Sequence, residues 1–204
     1  MIAVVDYGAG NLRSIRRALE AAGAETLITS DPDTVRRSDA AVLPGVGNAS
    51  HCMRRIKELG LDSAMRDIVV AGKPFFGICV GMQLLFEHQE EGDSDGLGFL
   101  PGRVRSLHGA VKIPHMGWSI SRNIRSSPIG DEGDTRYFYF VHSYVTEPDD
   151  ANDVVAVATY GSEFPSVVAR DNIWGAQFHP EKSGPDGLTF VAAFVNKLVP
   201  AVTR

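Results

Sequence analysis

At 204 residues, with 44% hydrophobic and 22% charged residues, the chain has the make-up of one globular unit able to bury a sizeable core. A net charge of −5 gives no electrostatic footprint for nucleic acid, and no stretch approaches the ~20 apolar residues that a membrane span requires. Two cysteines, Cys52 and Cys79, are too few for a disulfide framework, and six histidines without paired ligand spacing make no case for a metal or another cofactor.

The opening run Met1 to Asp6 lacks the basic start, apolar core and small-residue cleavage site of a secretory signal, so the chain is expected to be cytoplasmic with reduced thiols. Ile2 to Val5 reads as the first strand. Asn11 to Ala22 follows as a helix with Leu12, Ile15, Leu19 and Ala22 along one face, and Gly23 stands where a helix stops. Thr26 to Thr29 is a second strand, and Asp31-Pro32-Asp33 punctuates before a short helical turn. Ala40 to Leu43 is a third strand that runs into the loop Pro44-Gly45-Val46-Gly47. A helical region from Asn48 to Ala71, broken near Gly60, leads through Gly72-Lys73-Pro74 into the strand Phe75 to Ile78, and then to Cys79. This alternation of short apolar runs and amphipathic segments is the pattern of βαβ units building a mostly parallel sheet.

Beyond Gln89 the texture changes. A Gly- and Asp-rich loop from Glu91 to Gly98 precedes β-rich runs at Val111 to Ile113, Tyr137 to Val145, Val154 to Ala158 and Ser166 to Ala169, which predict antiparallel hairpins. Arg122 to Asp134 reads as a polar surface loop, Trp174 to Phe178 as a strand, and Leu188 to Leu198 as a closing amphipathic helix.

Gly77-Ile78-Cys79-Val80-Gly81 places a cysteine between glycines at a predicted strand-to-helix turn, the nucleophile-elbow pattern with Cys in place of Ser. Small flanking residues let neighbouring backbone come close, and the following helix offers N–H groups to a thiolate or an oxyanion. The pentapeptide alone fits a buried structural cysteine as well. Cys52, without glycine flanks and near Met53 and Ile56 on a predicted helix, reads as core. A cysteine nucleophile needs an imidazole to move its proton and a third group to orient that ring. His179-Pro180-Glu181, at the end of a predicted strand, supplies both. His51, His88 and His108 read as solvated or capping residues, and His115 and His142 as satisfied core or interface histidines.

These two motifs, a hundred residues apart, resemble the class I glutamine amidotransferase family over nearly the whole chain. Five further segments narrow the resemblance to the glutaminase subunits of imidazole glycerol phosphate synthases: Asp6 to Leu12, Leu43 to Gly47, Pro114 to Trp118, Phe140 to Tyr144 and Gln177 to Ser183. The resemblance implies a doubly wound, mostly parallel α/β sheet with added antiparallel strands in the C-terminal half, and one amidotransferase domain over 1–204. It implies Cys79 as nucleophile, His179 as general acid and base, and Glu181 as orienting carboxylate. Oxyanion donors fall on the backbone of Val80, Val46 and Gly47, and glutamine contacts on Gln83, Ser143, Tyr144 and Gly45. Ammonia would pass to a (β/α)₈ cyclase partner of histidine biosynthesis, in a heterodimer faced by Asn11, Trp118, Tyr139 and Lys182. The glycine-rich oxyanion loop is expected to act as a switch, keeping the isolated chain a poor glutaminase until the partner binds its substrate.

Two departures stand out. Ser119 follows Gly117-Trp118 where the family usually carries Asn, and Asn48-Ala49-Ser50 follows Gly47 where an aromatic is common; both bear on partner affinity and signalling. A sugar-amidating glutaminase shares most of these segments, and a catalytically silent binding subunit would share the fold, although here all three triad positions are filled.

Overall fold

The computed structural model describes residues 1–109 and 111–199. The first half builds β1 (Ile2–Val5), α1 (Leu12–Ala21), β2 (Thr26–Thr29), α2 (Pro32–Arg37), β3 (Ala40–Gly45), α3 (Ala49–Glu58), α4 (Leu61–Val70) and β4 (Phe75–Cys79). A four-residue helix α5 (Val80–Gln83) leads to β5 (Phe86–Gln89), β6 (Ser94–Asp95) and β7 (Leu100–Ser106). The second half adds β8 (His115–Asn123), β9 (Thr135–His142), β10 (Tyr144–Pro148), β11 (Val154–Tyr160), β12 (Ser162–Arg170), β13 (Ile173–Ala176) and α6 (Gly184–Ala193).

Nine strands form one sheet in the order β2-β1-β3-β4-β13-β12-β11-β8-β9. The pairs from β2 to β13 are parallel and those from β13 to β9 antiparallel. The parallel strands β1, β3, β4 and β13 are buried along their whole length, which is why they read as continuous apolar runs without alternation. The connections β1-α1-β2 and β3-α4-β4 step across the sheet in opposite directions. Right-handed crossovers therefore place α1 on one face and α3 and α4 on the other; α2 packs with α4, and α6 with α1. Ile15 and Leu19 of α1 and Ile68 of α4 are buried in the common core, along with Phe75, Phe76 and Phe178. Each such side chain contributes roughly 1.5–3 kcal/mol by leaving water.

Helix boundaries follow local chemistry. Asp31 caps α2, its carboxylate accepting from the N–H groups of Asp33 and Thr34, and Pro32 takes the first helical turn where no N–H is needed. Asn48 caps α3 through His51 N, and Gly60, at φ 67°, breaks α3 from α4.

The structure corrects several sequence expectations. Pro44 and Gly45 belong to β3 rather than to the loop, because β3 stays paired with β4 as far as Gly45 and Cys79. Val111 to Ile113 is not a strand: Lys112 and Ile113 are exposed and unpaired before Pro114, which has no N–H to give a ladder. The run Tyr137 to Val145 is divided at Ser143, with β9 in the large sheet and β10 in a second sheet ordered β10-β7-β5-β6. The closing helix begins at Gly184 and ends at Ala193, continuing in a π turn, Phe194–Leu198. Strands β5, β7 and β8 have no counterpart in the sequence reading, and Arg122 and Asn123, read as the start of a surface loop, close β8. Among the described residues, no helix is long and apolar enough to cross a membrane.

Candidate active site

Because β3, β4 and β13 are parallel neighbours, their carboxyl ends open on one edge of the sheet, the position where open α/β sheets hold ligands. Cys79 ends β4 in register with Gly45, and the chain beyond β13 reaches His179 three residues later. Cys79, the Gly45 end of β3 with the loop that follows it, and His179 are thus delivered to one place by strand register.

Cys79 adopts φ 55° and ψ −112°, a left-handed conformation that costs a non-glycine residue on the order of 1–3 kcal/mol. Close packing enforces this turn. A Cβ on Gly81 would fall 1.9 Å from Leu43 O, and one on Gly77 would fall 2.4 Å from Gly81 O. The sulfur is buried, 3.7 Å from Val141 O and 3.9 Å from Gln177 Nε2. Val80 opens α5, so its N–H has no partner within that helix.

His179 is locked in place at both backbone ends. Its N–H donates to Tyr139 O at 2.9 Å, and its carbonyl accepts from Ser183 Oγ at 2.6 Å and from Lys182 N at 3.0 Å. Pro180 then starts a 3-10 turn over 180–182 that brings Glu181 Oε1 to 2.9 Å from His179 Nδ1. Both side chains are almost fully enclosed, and His179 Nε2 and Glu181 Oε2 make no hydrogen bond. Burial pushes the His179 pKa down, but the nearby Cys79 and the bonded Glu181 carboxylate overcome it and raise the value to about 9. The imidazole is therefore held at Nδ1 by a buried carboxylate, with Cys79 among the groups that favour its protonated form.

A cleft of about 320 Å³ opens beside the sulfur, lined among others by Val46, Gly47, Val80, Gln83, Ser143 and Tyr144. Gln83 is a buried wall of this site rather than a solvated helix position: its Nε2 donates to Tyr144 O at 3.0 Å and to Gln177 Oε1 at 3.2 Å. Gly45 lies behind the lining, where a Cβ would meet Gly81 N at 2.6 Å and Val80 Cβ at 2.8 Å. The loop beyond it is tethered from below, with Tyr7 OH donating to Pro44 O at 3.0 Å and the Cys52 thiol to Val46 O at 3.6 Å. Cys52 is core, as its sequence context predicts, and burial raises its pKa.

The structure also brings in residues that the motifs did not mark. Glu91 lines the cleft with its carboxylate anchored on Ala49 N, and Val141, His142 and Pro114 complete the wall. Glu91 stands inside what reads as a Gly- and Asp-rich loop, and no local signal sets it apart from its acidic neighbours. His51, His88 and His108 are exposed, as expected, while His115 and His142 are buried and bonded to each other. Among the described residues no group of three or more His, Cys, Asp or Glu could hold a metal.

Trp118, Tyr139 and Lys182 share one surface patch. Trp118 is 56% exposed and meets Tyr139 edge-on at 6.2 Å, and Lys182 Nζ lies 5.9 Å over the Tyr139 ring. Met116, Ile120 and Tyr137 extend this patch along β8 and β9 as exposed apolar side chains. Asn11 precedes α1 at the N-cap position without a side-chain capping bond, and α1 packs against the turn carrying Lys182.

A family model for class-I glutamine amidotransferases matches residues 3–198. The chain is 45% identical over 203 residues to the imidazole glycerol phosphate synthase subunit HisH of Salinibacter ruber, an alignment covering 95% of this chain and 93% of that one. It is 46% identical over 203 residues to the subunit of the same name from Halobacterium salinarum, covering 96% and 92%. Among solved structures, PurLQS from Thermotoga maritima superposes with a TM-score of 0.76 at 22% identity, covering 96% of this chain and 97% of that chain, a likeness of fold.

Proposed function

The chain belongs to the class-I glutamine amidotransferase family, and from that membership we propose that Cys79, His179 and Glu181 hydrolyse glutamine in the glutaminase subunit of an imidazole glycerol phosphate synthase. The observation that carries this reading is the elbow: a strained, buried cysteine at the sheet's carboxyl edge, coupled to an imidazole whose other nitrogen is bonded to a buried carboxylate.

Glutamine enters the cleft with its side-chain amide at Cys79 and its amino-acid end toward Gln83, Ser143, Tyr144 and Glu91. The carboxylate of Glu91 suits the substrate's ammonium group. The thiolate attacks the amide carbon, and the resulting oxyanion is met by backbone N–H groups of Val80 and of the Val46–Gly47 segment. His179, protonated, gives its proton to the departing nitrogen, and ammonia leaves. Water then attacks the thioester with His179 as base, releasing glutamate and restoring the thiol. Glu181 holds the ring in the tautomer that presents Nε2 to the sulfur throughout.

The released ammonia is consumed by a cyclase subunit in the same heterodimer, which forms imidazole glycerol phosphate and an aminoimidazole-carboxamide ribotide. The exposed Trp118, Tyr139 and Lys182 patch, with Asn11, is the surface we assign to that partner: Trp118 beside the exposed Met116 and Tyr137 gives the aromatic and methionine composition of an interface. The glycine-rich 45–47 segment is the element through which the partner would switch hydrolysis on. The whole chain is read as one amidotransferase domain. Acid quenching during turnover, followed by mass spectrometry, tests the chemistry: a glutamyl adduct on the peptide containing Cys79 is expected, and none in Cys79→Ala. Turnover without any adduct on that peptide would contradict it.

A further inference from the structure

A hydrogen-bonded file of groups runs from Ser119, on the inward face of β8, to Cys79. Ser119 Oγ lies 2.9 Å from His115 Nε2, His115 Nδ1 lies 3.0 Å from His142 Nε2, and His142 Nδ1 lies 2.9 Å from Tyr144 O. The same Tyr144 carbonyl accepts from Gln83 Nε2 at 3.0 Å, and Gln83 Nε2 reaches Gln177 Oε1 at 3.2 Å. Gln177 Nε2 ends the file at Cys79 Sγ, 3.9 Å away.

Its direction can be deduced. A carbonyl oxygen only accepts, so His142 Nδ1 carries the hydrogen toward Tyr144 O. Burial holds both rings neutral, pushing His142 down to about 3 and His115 below its ordinary value. A neutral His142 then presents a bare Nε2, which must accept from His115 Nδ1–H. That leaves His115 Nε2 bare in turn, and it must accept from the Ser119 hydroxyl. The Tyr144 carbonyl therefore sets the tautomer of both imidazoles, and position 119 must supply the donor that satisfies the buried His115 Nε2 at the end of the file.

The rings have little freedom to choose otherwise. His115 is stacked on Tyr160 at 4.0 Å and 15°, and on Phe140 at 5.0 Å and 20°; it also sits directly opposite His142 across the β8–β9 pair. Ser119 itself is half-buried between the exposed Trp118 and Ile120.

We propose that Ser119, His115 and His142 are positioning residues for the glutamine pocket, the Ser119 hydroxyl satisfying the last bare ring nitrogen so that His142 can hold the Tyr144 carbonyl and the Gln83 amide against the amino-acid end of the substrate. The proposal rests on the glutaminase reading above. It also assigns a task to the residue that departs from the family's usual Asn: what position 119 must supply is a hydrogen-bond donor, which a hydroxyl and an amide provide equally.

The test is the concentration dependence of Cys79 alkylation by acivicin, a glutamine analogue, in the full chain with the cyclase subunit and its nucleotide present, with iodoacetamide as a probe that needs no glutamine pocket. Ser119→Ala and Ser119→Val are expected to raise the half-saturating acivicin concentration roughly tenfold, as for a lost buried hydrogen bond, and to leave the limiting rate unchanged. Ser119→Asn and Ser119→Thr, which keep a donor, retain the original constant, and iodoacetamide reacts alike with every variant. A merely structural role would order the variants by size or melting temperature instead of by donor content. Wild-type saturation in Ser119→Ala, or a Ser119→Thr as impaired as its isostere Ser119→Val, would overturn the proposal. If the unsubstituted chain reacts with iodoacetamide but is not saturable by acivicin, the glutaminase reading fails and the relay falls with it.

Discussion

His179 Nδ1 lies 2.9 Å from Glu181 Oε1, two residues away, while the opposite ring nitrogen is buried without a hydrogen-bond partner. A carboxylate so placed orients the ring and stabilises its protonated form.

The first prediction concerns pH. Burial works against the charged ring, and Cys79 with Glu181 brings its pKa to about 9, so His179 holds its proton at neutral pH. Glutaminase kcat/KM should fall as pH rises through about 9. Glu181→Gln should move that limb down toward the ordinary value of 6.5 and lower the rate by roughly a hundredfold or more. The same shift is a stability statement. Its contribution is fully present below 6.5 and is lost as pH rises through about 9, which urea titrations on either side of that window would detect.

The second prediction concerns the elbow. Gly81→Ala sets a methyl 1.9 Å from Leu43 O, a backbone atom of a central strand that cannot move aside. We expect a loss of about 3 kcal/mol or more, read by chemical denaturation. A stability within error of the parent would contradict the packing described.

How much of this was legible before the structure depends on where information resides in a chain. Strands β1 and β2 and the caps of α1 follow from local pattern and glycine punctuation, so their boundaries coincide with the reading. Cys79 and His179 were marked by motif, but their convergence depends on β13 being inserted beside β4, a pairing between residues a hundred positions apart that no local signal encodes. Strands β5 and β7 were missed because their sequences, Phe86–Gln89 and Leu100–Ser106, carry Glu, His, Pro, Gly and Arg, and form ladders only in a small second sheet. Val111 to Ile113 has β-branched residues without a partner strand, so propensity alone misled. The role of Gln83 was carried by resemblance, and its burial was invisible because a four-residue helix is too short to show a face.

A third prediction addresses substrate binding. Glu91 contributes a carboxylate to the cleft, with Oε2 held at 2.6 Å from Ala49 N, and Glu91→Gln removes its charge with little change in shape. The KM for glutamine should rise roughly tenfold with kcat nearly retained, the signature of lost uniform binding in steady-state kinetics.

A fourth concerns the partner. Trp118 is the largest exposed aromatic of the β8–β9 face and is buttressed by Tyr139. Trp118→Ala should weaken the complex with the cyclase by about 2 kcal/mol, or roughly thirtyfold in Kd, by calorimetry. An unchanged affinity would move the interface elsewhere.

The most direct measurement is glutamate release from glutamine by the purified chain, alone and with a cyclase subunit carrying its nucleotide, with Cys79→Ala as the blank. The account predicts low turnover alone, stimulation of roughly a hundredfold as the oxyanion donor of the 45–47 segment comes into place, and none in the variant. Equal turnover with and without the partner, or undiminished release by Cys79→Ala, would contradict it.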